Sequence, residues 1–323
     1  MLHLWIGRAG AGKTARVLET IEKNRHERDQ LLIVPEHVSH EAEVELCRAL
    51  GDTASRNAEV LSLRNLSGRV LGEVGGLADF TLDGGGKLLT MRMALQEVGS
   101  GLRVFDNPSR RAAFLEQLVA LMDELYAYEI PPQELYARVQ NAPGQGGDKL
   151  RDIALLYAAY DARLRAGGRD ARSRVQKLRD ALPDSSYLRG KDVYFDGFSY
   201  FNKVEEGILL TALQQASSVT VTLLGDKAPS EIFQNAYRQR QRLVRMAQQA
   251  GQRCTMDFME SAEDTPLAHL EKYFFSAASP ARPGGGSAVA LYEASTAYAE
   301  VEYVSARIRR MLTEGYRCRD IAV

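Results

Sequence analysis

The residues best suited to chemistry stand near the start of the chain. Gly7-Arg8-Ala9-Gly10-Ala11-Gly12-Lys13-Thr14 fits the pattern G-x-x-x-x-G-K-[ST], between a short apolar run, Leu2–Ile6, and a helical pattern carried by Val17, Leu18 and Ile21. Each position has a physical purpose. The glycines let successive backbone N–H groups turn inward around a phosphate, and the following helix adds the positive end of its dipole. Lys13 is expected to reach the β- and γ-phosphates of a nucleoside triphosphate, and the Thr14 hydroxyl to ligate Mg²⁺. The whole segment from Gly7 to Thr14 therefore reads as a P-loop for ATP–Mg²⁺.

Such a loop needs a carboxylate at the end of a neighbouring strand to hold the metal's shell. Val193-Tyr194-Phe195-Asp196 supplies it, making Asp196 the second expected Mg²⁺ contact with Thr14. A following acid commonly activates water, but position 197 is glycine. Val219–Leu224, ending at Gly225-Asp226, has the form of a strand whose tip senses the γ-phosphate, although no glutamine follows closely. The same glycines admit a rival reading. Gly10-x-Gly12-x-x-Ala15 fits a dinucleotide fingerprint, with Glu36 after the second strand as a ribose contact. Against that rival, a pyrophosphate-only site does not require the Lys13-Thr14 pair.

The elements that position these residues alternate. Strands are expected at Leu2–Ile6, Leu31–Val34 and Glu59–Leu63, with helices between them over Val38–Leu50 and on to about Val74. That order implies a parallel sheet with crossover helices. From about Gly84 to Pro183 helical periods take over, at Leu88–Val98, Pro108–Tyr128, Asp148–Arg165 and Ser173–Leu182. Breakers at Pro131-Pro132 and Pro143–Gly147 separate them. Alternation returns with a strand at Asp192–Asp196, a helix over Lys203–Gln215 and a strand at Val219–Leu224. A helix over Gln234–Ala250 and a strand near Arg253–Phe258 follow. Ala281–Ser287 has the composition of a linker. Beyond it a strand at Ala288–Tyr292, a helix over Tyr298–Leu312 and the beginning of a strand at Asp320–Val323 are expected. The fold class is α/β: a RecA-like P-loop sheet over 1–83 and 184–280, an all-helical insert over 84–183, and over 287–323 the start of a second RecA-like domain belonging to a longer protein.

Composition narrows the classes. The 323 residues carry 41 Lys and Arg against 42 Asp and Glu, so overall charge does not announce nucleic acid, and any DNA contact must come from local patches. Arg238, Arg242 and Arg245, with Gln249, fall near one face of a helix, and Arg240 lies off it. A second basic stretch holds Arg163, Arg165, Arg169, Arg172, Arg174, Lys177 and Arg179. Backbone contact with DNA and an ordinary solvated helix face are both open readings of each. Tyr200 and Phe201 are expected in the core rather than stacked on bases, and Tyr126 and Tyr128 as packing residues. Cys47, Cys254 and Cys318 are isolated, which argues for a reducing, cytoplasmic setting and against a zinc or iron–sulfur site. His37 and His40, with Glu41, read as a helix-start surface. No apolar run approaches the ~20 residues of a membrane span, and the start lacks the basic leader of a secretory signal.

Taken together, these segments resemble superfamily 1 helicases of the UvrD type and, more closely, the AddB family. The resemblance rests on Gly7–Thr14, Leu32-Ile33-Val34-Pro35-Glu36 and Val193–Phe198 in place of an Asp-Glu box. It also rests on Pro266–Glu271, Ala299–Val304 and Arg319–Val323. It implies the second subunit of a bacterial ATP-dependent helicase–exonuclease that processes double-strand DNA ends for recombinational repair. Such a subunit is similar to a helicase that has lost its motor, scans single-stranded DNA for the Chi sequence and partners the motor subunit AddA. The family's nuclease domain and cysteine-bound iron–sulfur cluster belong to a C-terminal part, and the cysteines here do not match them. Six residues precede Gly7, which is expected to leave no room for the glutamine-bearing segment that reads adenine in superfamily 1 motors. Two other readings are a working P-loop NTPase or small-molecule kinase, and an interaction module with a vestigial P-loop.

Overall fold

The structure, a computed structural model, describes residues 1–323 except 52–55, 77–81, 106–111, 141, 167–172, 228–230, 262–263, 277–278 and 283–287. The chain divides into two units, Met1–Ser261 and Ala262–Val323.

The first unit opens with β1 (Leu2–Gly7), α1 (Lys13–Asn24), β2 (Gln30–Val34), α2 (Ser39–Leu50), β3 (Ala58–Ser62) and α3 (Leu63–Val74). Five helices follow: α4 (Gly84–Val98), α5 (Ala112–Ala127), α6 (Pro132–Val139), α7 (Gly144–Ala166) and α8 (Arg174–Ala181). The unit closes with β4 (Asp192–Phe195), α9 (Lys203–Gln215), β5 (Ser218–Leu224), α10 (Gln234–Gln249) and β6 (Cys254–Met259). All strand pairs are parallel, in the order β3-β2-β4-β5-β1-β6.

The strands read as apolar runs because helices cover both faces. Side chains alternate between the faces. Leu4, Ile6, Leu31, Ile33, Val193 and Phe195 join one core, which also takes in Leu66 of α3, Ile208 of α9 and Leu178 of α8. Trp5, Leu32, Val34, Val60 and Tyr194 join a second core on the other face, with Val17 and Ile21 of α1 and Leu46 of α2.

A third core holds Met91, Leu95, Leu118, Met122, Tyr157 and Tyr160, drawn from α4, α5 and α7. It is tied down by Asp152, a buried carboxylate that accepts the backbone N–H groups of Arg103, Val104 and Phe105 at 3.0, 2.7 and 3.2 Å. A carboxylate can be buried when several donors replace its water.

The structure corrects the sequence expectation at several points. Pro131-Pro132 does separate helices, since α5 ends at Ala127, but Pro132 also begins a helix the sequence reading did not place, α6, where the missing N–H costs nothing. Likewise α4 and α7 start on glycines, at Gly84 and Gly144, four residues before the expected starts at Leu88 and Asp148. Asp83 caps α4 by accepting Gly86 N–H at 2.7 Å. In α7, a Cβ on Gly147 would lie 2.0 Å from the Ala142 carbonyl oxygen, so only glycine fits there. Pro108, at the expected start of α5, lies outside the described residues.

The second unit holds α11 (Pro266–Tyr273) and α12 (Ala297–Thr313). The strands expected at 288–292 and 320–323 do not form. Leu291 is fully exposed, and Cys318–Asp320 is a turn of 3₁₀ helix. Apolar alternation alone does not make a strand without a ladder partner, and among the described residues this unit has none. Part of the expected linker, 283–287, lies outside the described residues.

Candidate functional site

At the end of β1 the backbone must approach its neighbours closely and then reverse. A Cβ at Gly7 would meet the Met259 carbonyl oxygen at 2.7 Å and the Ala11 Cβ at 2.9 Å. Gly10 and Gly12 take φ of 74° and 79°, which L side chains resist. Gly12 is also the residue before α1, so the positive end of that helix faces the loop, and no acid in its first turn offsets it. Lys13 folds across this loop, donating from Nζ to the carbonyls of Gly7 and Arg8 at 2.7 and 2.8 Å.

Thr14 points the other way. Its hydroxyl donates to Oδ2 of Asp196 at 2.7 Å, and the Thr222 hydroxyl donates to Oδ1 of the same carboxylate. Asp196 follows β4, and β5 lies between β4 and β1, so Thr222 bridges the gap from the intervening strand. Asp196 is held in place and only 6% exposed. After it the chain turns through Gly197 at φ 79°.

Arg8 carries a contact that the sequence does not reveal. Its Nε and Nη2 donate to Oδ2 of Asp226 at 3.1 and 2.8 Å, and its guanidinium lies 5.3 Å from the Phe233 ring centre. Asp226, at the tip of β5, is thereby fastened to the glycine-rich loop. The nearest sequence signal was an acid at a strand end, with nothing to name its partner.

Gly7–Thr14, Asp196 and Asp226 thus converge at the C-terminal ends of β1, β4 and β5, where open parallel sheets place ligands. A hydroxyl and a carboxylate, both hard oxygen donors, suit Mg²⁺. The rival ribose contact does not converge. Glu36 follows β2, which is separated from β1 by β4 and β5, whereas a dinucleotide fold sets its first two strands side by side.

The candidate DNA residues lie elsewhere. Arg238, Arg242 and Arg245 are all exposed on α10, with Arg242 3.4 Å from Glu206. Arg240 turns off that face, onto the rings of Tyr237 and Phe258 at 4.5 and 5.6 Å. The second basic stretch is not one surface. Arg163 pairs with Glu97 at 2.8 Å, Arg165 with Asp161 at 2.9 Å and Arg179 with Asp180 at 2.6 Å, while Lys177 is buried. Arg169 and Arg172 lie outside the described residues. Phe201 is core, stacked on Phe198 at 5.0 Å, and Tyr126 is held by Asp161 at 2.8 Å. Tyr200 and Tyr128 are not core: they are 62% and 43% exposed. Among the described residues no helix is long and apolar enough to cross a membrane.

The parallel six-stranded sheet and its strand order define a RecA-like α/β protein. The family model described as "ADDB, N-terminal" matches residues 4–271, and the chain belongs to that family. It is 32% identical to the B subunit of the ATP-dependent helicase/deoxyribonuclease of Geobacillus kaustophilus, over 100% of this chain and 30% of that protein. It is 33% identical to the protein of the same name from Pelotomaculum thermopropionicum, over 98% of this chain and 29% of that one. The chain thus spans about 30% of the length of these curated relatives.

Proposed function

We propose that this chain is the N-terminal, ATP-binding, helicase-like part of the B subunit of a bacterial ATP-dependent helicase–exonuclease that processes double-strand DNA ends for recombinational repair. The observation that carries the nucleotide site is the contact between Thr14 and Asp196, made beside a glycine-rich loop that Lys13 crosses. The site would take the phosphates of ATP on the backbone from Gly7 to Thr14, with Lys13 turning from its carbonyls to the β- and γ-phosphates. Thr14 and Asp196 would hold Mg²⁺, which supplies charge neutralisation for the phosphates when bound. Arg8, held by Asp226, keeps the first half of the loop in place while Lys13 moves.

Gly197 offers no side chain to orient or deprotonate a water, so this part binds ATP and turns it over slowly. Arg238, Arg242 and Arg245 would meet the backbone of single-stranded DNA. The motor subunit AddA is the partner, in the cytoplasm. Residues 1–83 with 184–280 would form one RecA-like domain, 84–183 its helical insert, and 287–323 the entry to a second. The nuclease domain and the iron–sulfur cluster would belong to the remaining part of the whole subunit. Equilibrium titration of the chain with ATP–Mg²⁺, ADP and NAD tests the site. Saturable binding of the first two and none of NAD is expected, and NAD binding without ATP binding overturns the reading.

A further inference from the structure

At the far side of the sheet from Gly7–Thr14, β3 is the outermost strand, and no described strand lies beyond it. Four strand spacings separate β3 from β1, about 19 Å at ~4.8 Å each, so this edge is independent of the nucleotide site. An open trough of about 990 Å³ runs here, lined by the consecutive residues Ala58, Glu59, Val60 and Leu61. Successive side chains of a strand point to opposite faces. A cavity touching four in a row therefore lies along the strand's outer edge, whose backbone forms the floor of the trough, with Ala58 and Val60 6% and 5% exposed.

The two walls differ. On one side α2 contributes Glu43, the exposed Cys47 and, beneath them, the buried Leu46. On the other, α3, the start of α8 and the segment before β4 contribute Arg64, Arg174 and Lys191, with Arg56 at the end of the floor. Arg56, Arg64 and Arg174 are exposed. Three acids also line the trough, but Glu59 is paired within the wall with Arg69 at 2.7 Å and accepts a hydrogen bond from the Tyr187 hydroxyl. Arg56, Arg64, Arg174 and Lys191 then outnumber Asp29 and Glu43.

We propose that this trough docks an extended acidic segment of a partner polypeptide, which adds to β3 as a seventh strand. Main-chain hydrogen bonds to the outer edge would supply affinity, and alternate side chains the specificity. The asymmetry of the walls sets the pattern of that segment: acids at one parity, facing the arginines, and small apolar residues at the other, facing the exposed Cys47 of α2.

A short Val-Glu repeat peptide is the probe, compared with a Val-Lys repeat and a short oligothymidylate by fluorescence anisotropy. Two variants report on the trough. Gly68 lines it, and a Cβ there would meet nothing within 4 Å, so Gly68→Phe has room to start a ring that narrows the trough. Arg64→Glu reverses one exposed charge and serves where Gly68→Phe fails to fold. The Val-Glu peptide is expected to bind saturably, to slow amide exchange over Ala58–Ser62, and to weaken about tenfold or more in each folded variant. Absence of saturable binding, equal binding of the Val-Lys repeat, or occupation of the trough by oligothymidylate instead would overturn the proposal.

Discussion

The hydroxyl of Thr14 donates a 2.7 Å hydrogen bond to Asp196, joining the start of α1 to the end of β4 across the intervening β5. Two residues 182 positions apart are thus set as neighbours. The remaining carboxylate oxygen is taken by Thr222, so the side chain has little freedom to turn away.

Asp196→Asn keeps the shape of this arrangement and removes the charge. The parent should bind ATP more tightly with Mg²⁺ than without it, and the variant should lose most of that difference while staying folded. Titrations with Mg²⁺ and with a chelator measure it. An undiminished Mg²⁺ effect in the variant would remove Asp196 from the metal site.

Turnover should be slow. General-base assistance is typically worth ~10²–10⁴-fold, and Gly197 has no group to give it. A steady-state phosphate-release assay, with and without single-stranded DNA, checks this. DNA-stimulated hydrolysis at about 1 s⁻¹ or faster, a rate ordinary for enzymes, would mean that another acid takes the role and that the chain is a motor.

Single-stranded DNA should bind weakly to this chain, and more weakly as salt rises, because phosphate contacts release counterions. Replacing Arg238, Arg242 and Arg245 together by alanine should flatten the salt dependence, with a slope smaller by about two. An unchanged slope in the triple variant would move the contact off α10.

Much of this was legible beforehand. The strand–loop–helix of β1 and α1, the strand ending at Asp196 and the extent of α9 follow from local pattern, since apolar periodicity and capping act over a few residues. What was missed depends on distance. The Arg8–Asp226 pair spans 218 positions, and the hydroxyl that Thr222 gives to Asp196 comes from the intervening strand. Tyr200 reads as apolar, yet the turn after Asp196 leaves it in solvent. Pro132 and Gly144 look like breakers, yet each begins a helix, Pro132 because the first position of a helix needs no N–H. The trough along β3 arises only when strand order is known.

One pH dependence follows from α3. The hydroxyls of Ser185 and Ser186 and the Ser186 N–H all donate to Glu73, the last two at 2.6 and 2.9 Å. They lower its pKa from the ordinary 4.5 to about 2. A carboxylate depressed in the folded state stabilises above its unfolded pKa, and that contribution is lost as pH falls through the folded value. Glu73→Gln should therefore be less stable than the parent at pH 7, with the gap closing as pH falls below about 4.5. Urea unfolding of both proteins between neutral and acid pH reads it, and a gap independent of pH would contradict the assignment.

The central claim is that the loop from Gly7 to Thr14 holds the phosphates of ATP, and Lys13 tests it most directly. Its ammonium lies across the loop on two backbone carbonyls rather than in a core, so Lys13→Ala should remain folded by circular dichroism. Losing a charge-assisted contact of roughly 1.5–3 kcal/mol should weaken ATP–Mg²⁺ about tenfold to a hundredfold. Calorimetric titration of parent and variant gives the answer: a phosphate-binding loop predicts that loss, and equal affinity in two folded proteins would contradict it.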